Sequence, residues 1–405
     1  MKTICIVGGG IAGLYAGNIL QKKGYNITIY EKYEILGGRI QTYSHDGETM
    51  EAGAGRFNKN HKLLFNLLKD QGFNYDDLYA IPSKQIYIKD DTILDIPTNR
   101  IIKMIIDKSK SISTDHLKSI TLKMFMKEFL ADSFVDDIIY SFGYTTEFEC
   151  MNAYDAINIF EKDFIVDIEY FIINGGLTRL INNMYNELKQ NSVKIFTKCE
   201  VINHLFNGKQ SRIEYIKDGK MNYALYDHVV FCTTKTALEN INGLNDNILL
   251  KKALKSLGIG SLYRIYAKFP KYRDTVWFQD LPKITTNNAL RYIIPINQKT
   301  GLIMISYTDS TNADMWVDVQ DIQRNLMLHL RKLFPSKNIP EPLWIKQYYW
   351  KVGMHYWKPN PKKYINTKDL LTKYNYLVCG EVVSKSNHGW IEGSLDSVKK
   401  ALRLL

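Results

Sequence analysis

Cysteine is scarce in this 405-residue chain: Cys5, Cys150, Cys199, Cys232 and Cys379 are widely spaced, odd in number and never arranged as CxxC. That excludes a dense disulfide framework and is best met by buried free thiols in a reducing compartment. No apolar stretch approaches the roughly 18 residues that a membrane-crossing helix needs, so no transmembrane segment is expected. A signal-peptide pattern is missing too, because the first apolar run, 4–7, passes directly into glycines. A soluble, cytoplasmic or otherwise intracellular protein is the expectation. Long basic runs are also absent. The formal charge is +11, yet only Lys108-Ser109-Lys110 and Lys399-Lys400 form clusters, which is a solvated lysine-rich surface and not a nucleic-acid stripe. No internal repeat, long disordered segment or metal-ligand cluster is evident.

What is present is globular. Apolar residues make up 45% and charged residues 23%, enough for a substantial core. Tyrosine is abundant at 27, which fits either aromatic-lined cavities or a compositional bias.

The N-terminus carries the strongest motif. The apolar run 4–7 reads as a buried parallel strand, followed at once by Gly8-Gly9-Gly10-Ile11-Ala12-Gly13, a helix over 14–23 and a second strand over 26–30. Gly8 permits the tight turn, Gly10 lets the backbone approach a pyrophosphate, and Gly13 lets the helix pack closely on the strand. The helix N-terminus then faces the phosphates. Glu31, 18 residues beyond Gly13, stands where a carboxylate accepts both hydroxyls of an adenosine ribose. The pattern predicts dinucleotide binding without separating FAD from NAD.

Further glycine-rich loops follow. Gly37-Gly38-Arg39 offers guanidinium donors to a diphosphate. Gly53-Ala54-Gly55-Arg56 precedes an amphipathic helix over 61–71. Between about 72 and 175 the chain reads as short strands and helices, an insertion in a substrate domain. A helix over 177–190 and strands near 193–196, 199–203 and 212–230 return to the first character. Strands are expected again at 261–269, 290–295 and 302–307, with a helical tract at 317–334. Near the C-terminus a buried strand, 376–379, enters Gly380-Glu381, at the carboxyl end where open α/β sheets bind ligands. His388-Gly389-Trp390-Ile391 opens the last helix, 391–404, whose first amides are placed for an electron-rich ring edge.

These blocks, with Gly175-Gly176-Leu177-Thr178-Arg179-Leu180 and the strand around Arg264, resemble the flavin-containing amine oxidase family, which includes monoamine, polyamine, L-amino acid and protoporphyrinogen oxidases. The resemblance spans almost the whole chain and implies an α/β fold: a Rossmann-like FAD-binding domain with a mixed-sheet plus helical substrate domain, of glutathione reductase-like topology. It implies an FAD domain from residues 1–71, 176–240 and 370–405, with a substrate domain from 72–175 and 241–369. FAD is then held by Gly8, Gly10, Ile11, Ala12 and Gly13, by Glu31 and Lys32, by Gly38, Arg39, Gly55 and Arg56, and by Trp350. Val201 matches the position whose backbone meets the adenine; Gly380, Glu381, Gly389, Trp390 and Ile391 complete the set.

Two blocks are most similar to L-amino acid oxidases. Arg56 matches the arginine that clamps the substrate carboxylate, and Gly389 and Trp390 match the pair that flanks the substrate amine. Three blocks depart. Arg264 replaces a lysine that holds a water near the reactive flavin nitrogen. Ile294 stands at the position of a carboxylate-binding tyrosine. Met354 and His355 stand near the flavin-linked cysteine and cage tyrosine of monoamine oxidases, so FAD should be bound without a covalent link. Trp390, with His355 or Tyr356, is expected to line the flavin face. The implied reaction is oxidation of the carbon–nitrogen bond of an amine or L-amino acid to an imine, with oxygen as acceptor. Oxidation or desaturation of a non-amine substrate, and flavin binding without turnover, stay open. So does a homodimer. A nicotinamide dehydrogenase is disfavoured, since no second GxGxxG follows.

Overall fold

The computed structural model describes residues 1–164, 169–244, 246–360, 367–385 and 387–405. A five-stranded parallel sheet forms in the order Lys194–Phe196, Asn26–Tyr30, Thr3–Val7, His228–Phe231, Tyr376–Val378. Its central strands are mostly apolar on both sides because both faces are covered. Ile4, Ile6, Val230 and Leu377 face one layer, built with helices Ile11–Lys22, Thr178–Gln190 and Ile391–Ala401. Cys5, Val7, Val229, Phe231 and Val378 face the other, under the antiparallel sheet Cys199–Phe206, Ser211–Lys217 and Lys220–Tyr226.

A seven-stranded sheet supplies the second layer system, in the order Trp344–Trp357, Leu257–Lys268, Leu302–Asp309, Tyr292–Asn297, Lys283–Thr286, Gln85–Lys89, Thr92–Leu94. Only the contact between Lys283–Thr286 and Gln85–Lys89 is parallel. Helix Ile322–Leu333 covers one face through Leu326, Met327, Leu330 and Leu333. Five helices between Thr98 and Asp163 form their own core around Phe125, Phe148 and Phe160. All five cysteines are free thiols; Cys150 is only partly buried, unlike the other four.

Several boundaries differ from the sequence reading for local reasons. The first helix begins at Ile11, not 14, because Gly10 is extended and its carbonyl already accepts the Leu14 amide at 3.0 Å. In the tract 317–334 the helix is confined to Ile322–Leu333, where the Asp321 side chain starts it by accepting the Arg324 amide; a separate short helix, Ser310–Asp314, lies before the tract. Helix Thr98–Ser109 was not expected, although Ile101, Ile102, Ile105 and Ile106 form a buried helical stripe. No helix among the described residues is long and apolar enough to cross a membrane.

Candidate active site

A cavity of about 720 Å³ runs from the glycine turn after the first strand to an aromatic end beside Trp390. At the phosphate end, the Gly8 amide donates to the Tyr30 carbonyl at 2.8 Å, closing the turn between the first two strands. A Cβ on Gly13 would stand 1.9 Å from the Gly8 carbonyl oxygen, so only glycine lets this helix sit so near its strand. Gly13 therefore packs and does not line the cavity, whereas Gly8, Gly10, Ile11 and Ala12 do.

Glu31 is buried at the end of the second strand. Its two oxygens accept the Gly9 amide at 2.7 Å and the Tyr33 amide at 2.8 Å. Each oxygen keeps a further acceptor position, so the carboxylate both fixes the glycine turn and stays able to take hydroxyl donors. Lys32, which lines the cavity, ion-pairs with Glu200 at 2.8 Å, next to Val201.

The middle of the cavity is braced by Glu381. Arg39 donates through Nη2 to Glu381 Oε2 at 2.9 Å and through Nη1 to the Gly353 carbonyl at 2.9 Å. Glu381 also accepts the His355 amide at 2.9 Å, His355 Nδ1 at 2.5 Å and the Gly389 amide at 3.3 Å. Burial alone would push this carboxyl up; His355 and Arg39 beside it and the donors around it hold it well below the usual range.

At the far end, Arg56 is caged by aromatic faces. Its guanidinium carbon lies 5.2 Å from the Tyr170 ring centre, 5.5 Å from Tyr144 and 5.8 Å from Trp390. It has no ion-pair partner among the described residues, and burial together with its charge pushes the Lys283 ammonium down to about 8. Behind Trp390, His61 packs edge-on at 4.9 Å and bonds Asp163 at 2.9 Å, while Asn58 and Asn387 donate to the same carboxylate. Glu392 ties this region to the last helix by accepting the Leu63 and Leu64 amides at 3.0 Å each.

Arg264 stands between these regions. It donates to the Glu51 carbonyl at 2.9 Å and to the Tyr307 hydroxyl at 3.2 Å, and its buried Nε has no partner among the described residues. Trp350 donates to the Ala52 carbonyl at 2.8 Å. Arg264, Trp350, Gly38, Arg39, Gly55, Arg56, Val201, Gly380, Glu381, Gly389, Trp390 and Ile391 all line the one cavity.

Two candidates are placed elsewhere. The lining contributed by strand Trp344–Trp357 ends at Met354, and the His355 side chain is turned towards Glu381 and Lys235 instead. His355 is fully buried; Nδ1 donates to Glu381 and Nε2 accepts the Lys235 amide at 3.1 Å. That pattern fixes the neutral tautomer, and burial pushes its pKa down. Tyr356 lies over Gly258 and packs into the helical core. Neither residue lines the cavity, whereas the sequence reading expects one of them at the flavin face. His388, by contrast, is buried at the cavity, with Nδ1 facing the His355 carbonyl at 3.0 Å.

The sequence reading missed Tyr144, Glu147 and Asp309, which join the cavity from the helical insertion and from the end of strand Leu302–Asp309. It assigned the loss of a carboxylate-binding tyrosine to Ile294. Ile294 does not line the cavity; Tyr144 does, and its buried hydroxyl has no partner among the described residues.

A glycine turn after the first strand, a buried carboxylate at the end of the second and a brace from the far end of the chain meet at one elongated cavity of an α/β protein. The chain belongs to the family described as flavin-containing amine oxidoreductase, which it matches over residues 11–401. Among curated relatives it is 24% identical over 59% of its length to an L-amino-acid oxidase of Sistrurus catenatus edwardsii. It is 25% identical over 99% of its length to one of Trimeresurus stejnegeri, covering 86% of that protein. The match to the first spans about half, 52%, of that relative's length. Among solved structures, engineered variants of a putrescine oxidase with redesigned cofactor binding superpose with TM-scores of 0.78 and 0.79. Those alignments cover 100% of this chain and 98% of the other at 13–14% identity, a likeness of fold. The cofactor is FAD, and the cavity fits it: a backbone cradle that only glycine permits, a carboxylate with free acceptor positions, and room that continues past the glycine turn to buried polar atoms with no partner among the described residues.

Proposed function

We propose that this protein oxidises the carbon–nitrogen bond of an α-amino acid or amine, with oxygen as the electron acceptor. The observation that carries the reading is Arg56: a permanent cation, held by three aromatic faces, without an ion pair among the described residues, at the end of the FAD cavity. Such a group meets a substrate carboxylate in two parallel hydrogen bonds. The bound flavin would accept the hydride equivalent from the carbon bearing the amine; the imine then hydrolyses. Arg56 with Tyr144 would orient the substrate, Trp390 would wall the amine side, and Arg264 would hold an acceptor or water at its open Nε. Arg39 and Glu381 would keep the two halves of the cofactor site in register. Membership of the strands supports the two-domain division: the parallel sheet draws only on 1–71, 176–240 and 370–405, and the seven-stranded sheet only on 72–175 and 241–369.

Mixing the oxidised protein with amines and amino acids in the absence of oxygen tests this. Bleaching of the flavin band by an amino acid is expected, with hydrogen peroxide released once air is admitted. A flavin that no amine or amino acid bleaches would refute the reading. Arg264, a strong donor that cannot act as a base, favours a second reading, oxidation of a non-amine substrate; a product that retains its nitrogen would select it.

A further inference from the structure

Glu147 is a carboxylate in the cavity that the proposed reaction leaves without a task. It sits on the turn Thr146–Cys150, a wide π-type turn closed by the Met151 amide on the Thr146 carbonyl at 3.0 Å. Asp309 holds that turn in place. It accepts the Thr145 amide at 3.0 Å, the Thr146 amide at 2.7 Å and the hydroxyls of both threonines. Asp309 is thus saturated by donors and serves as an anchor.

Glu147 is in the opposite condition. It forms no ion pair among the described residues, and apart from Arg56's charge only its own amide favours its ionised form. Burial first, and the Asp309 charge second, push its carboxyl up to about 7. Carboxylates in such surroundings gain most from a cation that enters with a ligand.

The same cavity therefore brings together Arg56, a cation without an ion pair among the described residues, and Glu147, a carboxyl that has neither an ion pair among them nor the set of donors that satisfies Asp309. Arg56 and Glu147 are not within ion-pairing distance of each other, so neither cancels the other directly. Tyr144, three residues before Glu147, adds a hydroxyl without a partner among the described residues beside Arg56. A simple amine would leave Arg56 unmatched. A neutral amino acid would leave Glu147 without a partner for its ionised form, which its surroundings disfavour. A ligand with a carboxylate and a second, distal cation satisfies all three groups.

We propose that the cavity selects α-amino acids with basic side chains, the carboxylate meeting Arg56 and Tyr144 and the side-chain ammonium or guanidinium meeting Glu147. This inference rests on the amino acid reading above, and adds the substrate class to it.

The test compares L-lysine, L-arginine, L-leucine and putrescine as reductants of the flavin, in the wild type and in Glu147→Gln. L-Lysine or L-arginine should give the highest kcat/KM in the wild type. In Glu147→Gln the ratio of kcat/KM for L-lysine over L-leucine should fall roughly 100-fold, mainly through KM. Glu147→Asp should recover part of that ratio. A binding titration reads the same pair without turnover: 6-aminohexanoate, which has a carboxylate and a distal ammonium, should perturb the flavin spectrum at lower concentration than hexanoate. That difference should vanish in Glu147→Gln, whose flavin content and Tm report its folding. If L-leucine reduces the flavin and the basic amino acids do not, this inference alone fails. An unchanged lysine-to-leucine ratio in Glu147→Gln, or preference for putrescine over L-lysine, overturns it too. If nothing reduces the flavin the proposed reaction fails, and the titration still decides whether Arg56 and Glu147 bind a doubly charged ligand.

Discussion

Arg39 Nη2 lies 2.9 Å from Glu381 Oε2, joining residues 342 positions apart in sequence across the middle of the cavity. Arg39 also holds the Gly353 carbonyl, and Glu381 holds His355 and Gly389. One ion pair thus connects the glycine loop after the second strand, the long strand Trp344–Trp357 and the turn leading into the last helix.

Glu381→Gln should loosen all three. Removing one partner of a largely buried pair leaves the other uncompensated, a loss of about 3 kcal/mol. The sign with pH follows from the depressed carboxyl. Its stabilisation is present above its unfolded-state value and is lost as pH falls through the lower folded value. Melting of the wild type and the variant across acidic pH should converge as the carboxylate protonates, with FAD retention falling in parallel in the variant at neutral pH.

Arg56→Ala should lower kcat/KM for amino acids by about two orders of magnitude, the worth of a charge-assisted pair at a buried site. Arg56→Lys should recover little, because an ammonium cannot present parallel donors to a carboxylate while lying flat against Tyr144, Tyr170 and Trp390. Steady-state kinetics of the two variants against the same substrate checks this.

Glu147, facing Asp309 from the strand and Arg56 from the loop, titrates near 7. A cationic side chain prefers the ionised form, so KM for L-lysine should fall as pH rises through about 7. The ligand-free protein should respond in the reverse sense. A carboxyl raised on folding makes the folded state the better proton binder, so stability falls as pH climbs from the unfolded value towards 7. Profiles of KM and Tm against pH, repeated in Glu147→Gln, should lose both trends.

FAD should leave the protein on denaturation. Met354, not a cysteine, takes the wall position on strand Trp344–Trp357, and no thiol is available there for a thioether. Acid precipitation should leave all of the yellow chromophore in the supernatant.

The cofactor half of the site was legible in sequence because its parts are local. A strand, a spaced set of glycines and an acid at the next strand end lie within the first 31 residues, and each has a backbone reason for its place. The substrate half was less legible. Thr145 and Asp309 meet across 164 positions, and no spacing rule announces that Asp309 anchors the turn bearing Glu147. His355 was placed on the wall because the match of a block does not fix which way a strand residue faces. The strand beside it is irregular between Gly260 and Leu262, so alternation could not be counted through from sequence. Helix Thr98–Ser109 failed for a simpler reason: its isoleucine stripe is present, but β-branched residues weaken the local helical preference.

The interleaving of the parallel sheet has a consequence for biosynthesis. Strand Tyr376–Val378 pairs with His228–Phe231, which pairs in turn with Thr3–Val7. During translation, the first strand and its glycine turn emerge long before the strand that completes the sheet and the carboxylate that braces it. The nascent chain must therefore keep apolar strand edges waiting through most of its synthesis, a state prone to association with other chains. Flavin supply during expression should accordingly govern the yield of soluble protein, by capturing the sheet at the moment its last strand docks.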